Sequence, residues 1–184
     1  GCYSDPGLRE AREAGTRPVF GIAESAMLTA MTKSCMNAQL GCDSSMHAVM
    51  TAINRVAEHD IKTFIYLTGC YVIIDVPNRK LEFANAGHPS MLLYRTESGE
   101  ITELKSQVVP FGLLPKSEDM VYDGEEVSCN SDDVLVLYSD GITEAENPDE
   151  ELYGMNRLKD VVLAAADLAP AEIKQAILAD LDLH

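Results

Sequence analysis

The chain has 184 residues, of which 46% are hydrophobic, so it is long enough for one domain with a sizeable core and short for two. Its 30 acidic residues outnumber 14 basic ones, and the formal net charge of −16 argues against a nucleic-acid partner, because a polyanion would be repelled. No apolar run reaches the roughly 18 residues of a membrane helix, and the charged first residues do not resemble a signal peptide. We therefore expect a cytoplasmic protein without a membrane segment in this chain. The acidic surface either binds metal cations and basic proteins or only keeps the domain soluble.

The cysteines argue against a disulfide framework or a zinc site. There are five of them, an odd number, and none forms a CxxC pair. A reducing cytoplasm fits this usage, and we expect Cys35, Cys70 and Cys129 to lie in or near the core.

The first half of the chain predicts an irregular start and then two helices. Residues 1–20 show no clean period and are expected to be irregular or partly helical. The pattern changes from Ala23, and 25–40 repeat small and soft residues at helical spacing. Asp43 or Ser44 is the expected cap of a second helix over 44–60. Its apolar face is predicted to comprise Met46, Val49, Met50, Ile53 and Val56. The abundant methionines either fill gaps in a core or mark helices that change their packing.

The second half predicts antiparallel strands followed by two more helices. After Asp60 the apolar period becomes two. The predicted strands cover 64–76, 80–87, 91–97, 100–105, 124–129 and 133–140, with helices over 155–167 and 170–181. Pro170 suits the first turn of the last helix. The expected class is therefore α+β, with layers of helices and antiparallel strands.

The stretch VLVLYSDGITEAEN places Asp140 and Gly141 where the last predicted strand ends. A carboxylate at a strand terminus is held rigidly and faces solvent, which suits a hard cation such as Mg²⁺ or Mn²⁺. The glycine would allow the backbone to approach that cation closely. The alternative is an ordinary turn, because Asp-Gly is a common turn dipeptide.

Several motifs in order carry a family resemblance. NAGHPSMLLYR, VVPFGLL and VLVLYSDGITEAENPDEELYG, followed by Arg157-Leu158, resemble the stage II sporulation E-type phosphatases. These are bacterial members of the metal-dependent serine/threonine phosphatase superfamily. The resemblance implies an α-β-β-α sandwich of two antiparallel sheets flanked by helices. It also implies a centre of Mn²⁺ or Mg²⁺ ions, with Asp140 and Gly141 as metal-site residues and a metal-activated water as nucleophile.

The resemblance also implies an organisation and partners for the chain. It describes a single phosphatase-like domain over 1–184, with an atypical start (1–22), a switch-type helix pair (23–59), antiparallel strands (60–142) and C-terminal helices (152–184). The implied substrate is a phosphoserine or phosphothreonine on a regulatory protein of the anti-sigma-factor antagonist type. An upstream sensor or receiver domain is implied in the full-length protein, and a homodimer is possible.

The sequence departs from the family pattern at the expected metal carboxylates. The family places aspartates in a Gly-Gly-Asp-Phe-Tyr-Asp strand and an Asp-Val-Ser-Gly-His-Gly turn before the first switch helix, where this chain has TRPVFGI. Asp5 has a poorly matching setting. The family's last metal aspartate opens an Asp-Asp-hydrophobic-Thr strand after the final helix, and Asp180 and Asp182 resemble helix-end residues and not this aspartate. Three interpretations stay open: a fragment or altered form of an active enzyme, a relative that lost catalysis and kept a binding role, or unrecognised ligands in the first twenty residues. A weaker third function is an acidic dimerisation domain whose methionine-rich helices pair.

Overall fold

The computed structural model describes residues 22–60, 66–105, 108–113 and 122–184. The helices are α1 (Ile22–Leu40), α2 (Met46–Asp60), α3 (Asp140–Thr143), α4 (Gly154–Ala164) and α5 (Pro170–Asp182). The strands are β1 (Gly69–Asp75), β2 (Lys80–Ala86), β3 (Met91–Arg95), β4 (Glu100–Leu104), β5 (Glu125–Ser128) and β6 (Val134–Val136). The predicted irregular or partly helical stretch over 1–20 lies outside the described residues. No helix in the described ranges is long and apolar enough to cross a membrane.

The strands form two antiparallel sheets of three strands, with orders β1-β2-β5 and β4-β3-β6. This confirms the predicted α+β class and all six strands, although each is shorter than predicted. The strand predicted over 64–76 begins only at Gly69. Before it, Leu67 exchanges backbone hydrogen bonds with Phe111, N to O 3.0 and 2.8 Å, so this stretch pairs as an isolated bridge instead.

By its internal contacts the chain divides into two compact units, which we describe separately. The first comprises the described residues among 1–73, 82–87 and 107–125. Its core forms where α2 packs on strand residues and on Phe111 and Tyr122. Four of the five residues predicted for the apolar face of α2 are buried there. Ala57 is buried in place of Val56, which is only half-buried. Ala57 lies against Gly112, in the turn that follows Phe111.

The N-terminus of α2 differs from the prediction by one residue. The cap is Ser45, whose hydroxyl oxygen accepts a hydrogen bond from the Ala48 amide at 3.4 Å, instead of Asp43 or Ser44. Asp43 accepts the Ser45 amide at 2.9 Å and so fixes the chain just before the helix. This backbone hydrogen bond is the main reason why the pKa of Asp43 is lowered.

The second unit comprises residues 74–81, 88–106 and 126–184. Its sheet pairs Leu92 with Val136, Leu93 with Leu135 and Tyr94 with Val134. Helices α4 and α5 pack on this sheet. The buried residues of the core between the helices and the sheet are Leu92, Tyr153, Leu158, Val162, Ala165, Ile173 and Ile177. Helix α5 begins at Pro170, as predicted, because a proline at the first position lacks only an amide that would be unpaired anyway.

The cysteines follow the expectation in the described residues. Cys35, Cys70 and Cys129 are half-buried, Cys42 is exposed, and all four are free thiols. Burial raises the pKa of the Cys70 thiol, which keeps it protonated and unreactive.

Candidate functional site

Asp140 does not end a strand, contrary to the prediction. Strand β6 ends at Val136, and its three residues lie opposite Leu92, Leu93 and Tyr94 of β3. Ser139 is extended, and Asp140 opens the four-residue helix α3. The turn-like alternative for Asp-Gly was therefore nearer to the observed backbone.

The turn at Asp140 is held by its backbone, which leaves the carboxylate outside. Ser139 accepts the Ile142 amide at 3.1 Å, and the Asp140 carbonyl accepts the Glu144 amide at 2.8 Å and the Thr143 hydroxyl at 3.3 Å. Asp140 itself is exposed. Across the described part of the chain, no hydrogen bond or ion pair involves its carboxylate, which is available to a ligand.

The loop after α3 fixes the other end of this turn. The side-chain oxygen of Asn147 accepts the amides of Asp149 and Glu151 at 3.0 and 2.9 Å, which closes the loop on itself. The Tyr153 amide then donates to the Ala145 carbonyl at 2.8 Å. Asp140 thus lies between a paired strand and a hydrogen-bonded loop, and these hydrogen bonds hold its backbone in place.

The described residues do not assemble a metal centre around Asp140. Within the four described ranges, no group of three or more His, Cys, Asp or Glu side chains could hold a metal ion. A single carboxylate cannot offset the mutual repulsion of two divalent ions. The implied dinuclear centre therefore does not fit the residues described, and Asp140 stands as one candidate ligand. Asp5 lies outside these residues.

The fold itself does not require a glycine at position 141. An added Cβ would meet only the Ser139 hydroxyl at 3.5 Å, an ordinary van der Waals contact, and the backbone is not in the left-handed region. The role of Gly141 beside a metal therefore remains a prediction.

Two other motif glycines serve the scaffold. Gly87 of the AGHP loop has φ +69°, and a Cβ there would lie 2.4 Å from Pro110 Cγ. Gly112 of the PFG turn has φ +74° and lies directly against Ala57 of α2. Its amide donates to the buried Asn54 side-chain oxygen at 2.9 Å. These motifs join the PFG turn to the AGHP loop and to α2.

The YG and Arg-Leu motifs build a polar clamp that the sequence reasoning missed. Arg157 Nε donates to Asp180 Oδ2 at 2.7 Å and Nη2 donates to Oδ1 at 3.1 Å, while the Tyr153 hydroxyl donates to Oδ2 at 2.8 Å. Hydrogen bonds from Arg157 and then Tyr153 lower the pKa of Asp180. Burial, followed by the Asp180 hydrogen bond, raises the pKa of Tyr153 to about 12. The only sequence signal for this cluster was the four-residue spacing of Tyr153 and Arg157, which places both on one helical face.

Known proteins resemble the chain over most of its length. A family model described as "Stage II sporulation protein E (SpoIIE)" matches residues 23–184. Phosphoserine phosphatase RsbP of Bacillus subtilis is 28% identical over 161 residues, which cover 85% of this chain and 37% of that protein. Protein IcfG of Synechocystis is 28% identical over 139 residues, covering 76% of this chain and 21% of that protein. The chain thus spans well under half the length of these curated relatives.

Solved structures share the fold. The SiaA-PP2C domain of Pseudomonas aeruginosa aligns with a TM-score of 0.73 at 21% identity, covering 88% of this chain and 63% of that one. The PP2C phosphatase domain of SpoIIE from Bacillus subtilis, solved with a fragment of its regulatory domain, gives 0.67 at 18% identity, covering 89% and 46%. At these identities the likeness shows a PP2C-type fold and leaves the chemistry to the residues of this chain.

Proposed function

The chain belongs to the stage II sporulation protein E family, and on that premise we propose that it is a protein serine/threonine phosphatase domain. It would hydrolyse a phosphoserine or phosphothreonine on a regulatory protein. The observation that carries the proposal is the match over 23–184, which includes the turn that holds the Asp140 carboxylate free and exposed. The curated relative RsbP is named a phosphoserine phosphatase, which supports the reaction class.

We further propose that the activity depends on Mn²⁺ or Mg²⁺, bound in part by Asp140 beside Gly141. An exposed carboxylate on a well-determined turn is a suitable oxygen ligand for a hard cation. The other ligands would have to come from residues outside the described ranges or from another chain, because the described residues contain no cluster that could complete the site.

The proposed setting is a cytoplasmic bacterial signalling system. The substrate would be a regulatory protein of the anti-sigma-factor antagonist type, and a sensor or receiver domain would lie upstream in a longer protein. Helices α1 and α2 would receive the signal. Helix α2 carries five buried apolar side chains, whereas over residues 29–40 of α1, where the structure describes the side chains, none is buried.

A second candidate function is a catalytically silent domain of the same fold that acts by binding a partner. It is favoured by one observation, the absence of a metal-binding cluster from the described residues. The two candidates differ in turnover and agree in fold, so an activity measurement with a matched variant separates them.

The test combines Mn²⁺ calorimetry with hydrolysis of a phosphoserine peptide, for the chain and for Asp140→Asn. Exposed Asp160 provides the matched control Asp160→Asn. The phosphatase predicts Mn²⁺ binding and turnover in the parent and in the control, and loss of both in Asp140→Asn. Absence of turnover in the parent at saturating Mn²⁺ would overturn an active phosphatase in this chain and leave a truncated or catalytically silent relative, which the same assay on a longer form of the protein would separate.

A further inference from the structure

The turn that carries Asp140 is fastened to the core on both sides of the carboxylate. Tyr138, two residues before Asp140, and Ile142, two residues after it, are half-buried and pack against the core of the second unit. Ser139, Asp140 and Gly141 lie between them and are exposed. Residues 139–141 therefore form a short exposed arch between two side-chain anchors.

The arch has little to hold it on the domain apart from these anchors. Helix α3 has four residues and no fully buried side chain. A helix of a single turn is not stable by itself in water. The backbone hydrogen bonds of α3 thus fix the shape of the turn, whereas its place on the domain depends on the side chains that flank it.

Of the two anchors, Tyr138 makes a polar contact as well as an apolar one. Its hydroxyl donates a hydrogen bond to the thioether of Met155, with Oη to Sδ at 3.3 Å. Met155 lies in the first turn of α4 and packs against the same core. Ile142 offers only an apolar surface, and hydrophobic contact has no preferred direction. The Tyr138 hydroxyl therefore supplies the direction in which the arch is held.

The acceptor of this hydrogen bond is itself held in place. Lys159 follows Met155 by four residues, so the two side chains lie on one face of α4. Lys159 Nζ forms an ion pair with Glu103 of β4, and both side chains are 27% exposed. The same helix packs on β3 and β4. The Tyr138 hydroxyl thus joins the turn to a helix that is fixed to the sheet.

We propose that Tyr138 is a positioning residue for Asp140. Its hydrogen bond to Met155 holds the residues before the turn against α4 and so sets where the Asp140 carboxylate is presented. Tyr138 acts through the backbone of the residues that follow it, and it needs no bond of its own to metal or substrate. The consequence for metal binding rests on the proposed function, whereas the positioning of the turn does not.

The contact favours positioning over simple filling of the core. Tyr94 of β3 is a half-buried tyrosine of the same sheet, and among the described residues its hydroxyl makes no hydrogen bond. The Tyr138 hydroxyl instead ends on a side chain of another element. A displacement of about 1 Å in a functional group can lower activity by about 100-fold, so a hydrogen bond of ordinary strength is enough for this role.

The test examines the turn in the metal-free chain, so it does not require that the chain be active. Isotopically labelled aspartate gives a side-chain carboxyl resonance for Asp140, which is assigned by its loss in Asp140→Asn. Tyr138→Phe keeps the ring and removes only the hydroxyl. We expect the Asp140 resonance to shift in Tyr138→Phe. Amide exchange at Ile142 and Glu144, whose amides close the turn, should accelerate by about fivefold, the effect of one ordinary hydrogen bond.

A second variant separates the hydrogen bond from the tyrosine ring. Met155→Leu removes the acceptor and keeps an apolar side chain, so it should produce a similar shift and acceleration with the ring unchanged. In the double variant Tyr138→Phe/Met155→Leu the exchange should accelerate no further, because the two changes remove one interaction. Tyr94→Phe is the matched control and should change neither readout. The resonance of exposed Asp160 on α4 is the internal reference and should not move.

Three results would each overturn the proposal. The first is an unchanged Asp140 resonance in Tyr138→Phe, which would mean that the hydroxyl does not position the carboxylate. The second is an equal effect of Tyr94→Phe, and the third is additive effects in the double variant, which would mean that Tyr138 and Met155 act separately. Absence of Mn²⁺ binding in the parent would count against the proposed function alone, so the two proposals fail separately.

Discussion

Arg157 holds Asp180 through both carboxylate oxygens, with Nε to Oδ2 at 2.7 Å and Nη2 to Oδ1 at 3.1 Å. The same guanidinium lies over the Tyr153 ring, 5.1 Å from its centroid, and contacts His184 Nδ1 at 2.9 Å. One side chain on α4 therefore joins the start of that helix to the end of α5.

Replacing Arg157 with lysine should destabilise the second unit. A lysine ammonium is not planar. It therefore cannot donate two parallel hydrogen bonds to one carboxylate or stack flat on an aromatic ring. Because both partners are about one-third exposed, solvent screens the pair, and we expect only a small loss in the free energy of unfolding. Urea denaturation measures it, with Arg55→Lys on the exposed face of α2 as control. Equal urea midpoints for the two variants would contradict a stabilising role of the Arg157–Asp180 contact.

Asp133 should make the fold sensitive to acid. Burial favours the neutral form, but hydrogen bonds from the Asn130 and Thr96 amides and from Arg95 outweigh it and lower the carboxyl pKa. A carboxyl with a lowered folded pKa stabilises the protein above its unfolded value of about 3.9, and this contribution is lost as pH falls through the folded pKa.

Melting temperature measured from pH 6 to pH 3 (roughly the range in which carboxyl groups titrate) checks this expectation. The parent should lose stability more steeply below about pH 4 than Asp133→Asn, which starts less stable because asparagine lacks the second acceptor oxygen and the charge. Asp160→Asn, at an exposed position, should keep the parent slope. Parallel curves for the parent and Asp133→Asn would show that Asp133 is not an acid-sensitive group.

Gly112 should tolerate substitution less well than Gly99, although both have positive φ, +74° and +69°. An alanine at either position pays the left-handed backbone cost of about 1–2 kcal/mol. At 112 the new Cβ would also lie 3.1 Å from the Ala57 Cβ and 3.2 Å from its carbonyl carbon, whereas at 99 nothing lies within 4 Å. Thermal melts of the two alanine variants should therefore differ, with Gly112→Ala lower. Equal melting temperatures would mean that the PFG turn can move away from α2.

The sequence determined the class and order of the elements well, because alternation and helical spacing are local patterns. It misplaced the end of β6, since a strand ends where its pairing with a neighbour ends, and the pairing of β6 with β3 is a long-range contact that local alternation does not report. The Arg157–Asp180 clamp escaped for a related reason. The two residues lie 23 positions apart, and only the packing of α4 on α5 brings them together. The turn at Asp140 was recognised by resemblance, and its isolation from other carboxylates in the described residues became visible only in three dimensions.

Asp140→Asn should leave stability unchanged. The carboxylate is exposed, and the described residues contain no partner for it, so its replacement falls within the usual surface range of about 0.5 kcal/mol. A urea midpoint equal to that of the parent would confirm that any loss of Mn²⁺ binding in this variant is local. A clear drop in the midpoint would instead assign Asp140 a structural role and weaken it as a candidate ligand.

Replacement of Asn54 should lower the free energy of unfolding, because this residue is a buried amide on the core face of α2. Its Oδ1 accepts the Gly112 amide at 2.9 Å and its Nδ2 donates to Glu58 Oε1 at 2.9 Å. Replacement by alanine leaves the Gly112 amide without this acceptor, at a cost of about 1–3 kcal/mol. The exposed Asn37 of α1 provides the control, Asn37→Ala, for which we expect almost no change.

The decisive measurement for Asn54 is amide hydrogen exchange at Gly112 together with the unfolding midpoint. If Asn54 anchors the PFG turn to α2, exchange at Gly112 accelerates in Asn54→Ala while amides in the Arg157 region of the second unit keep their protection. If the midpoint falls and Gly112 exchange does not change, the lost stability comes from core packing alone. The turn would then stay in place through Phe111, whose backbone pairs twice with Leu67, and displacement of α2 would not reach it through Asn54.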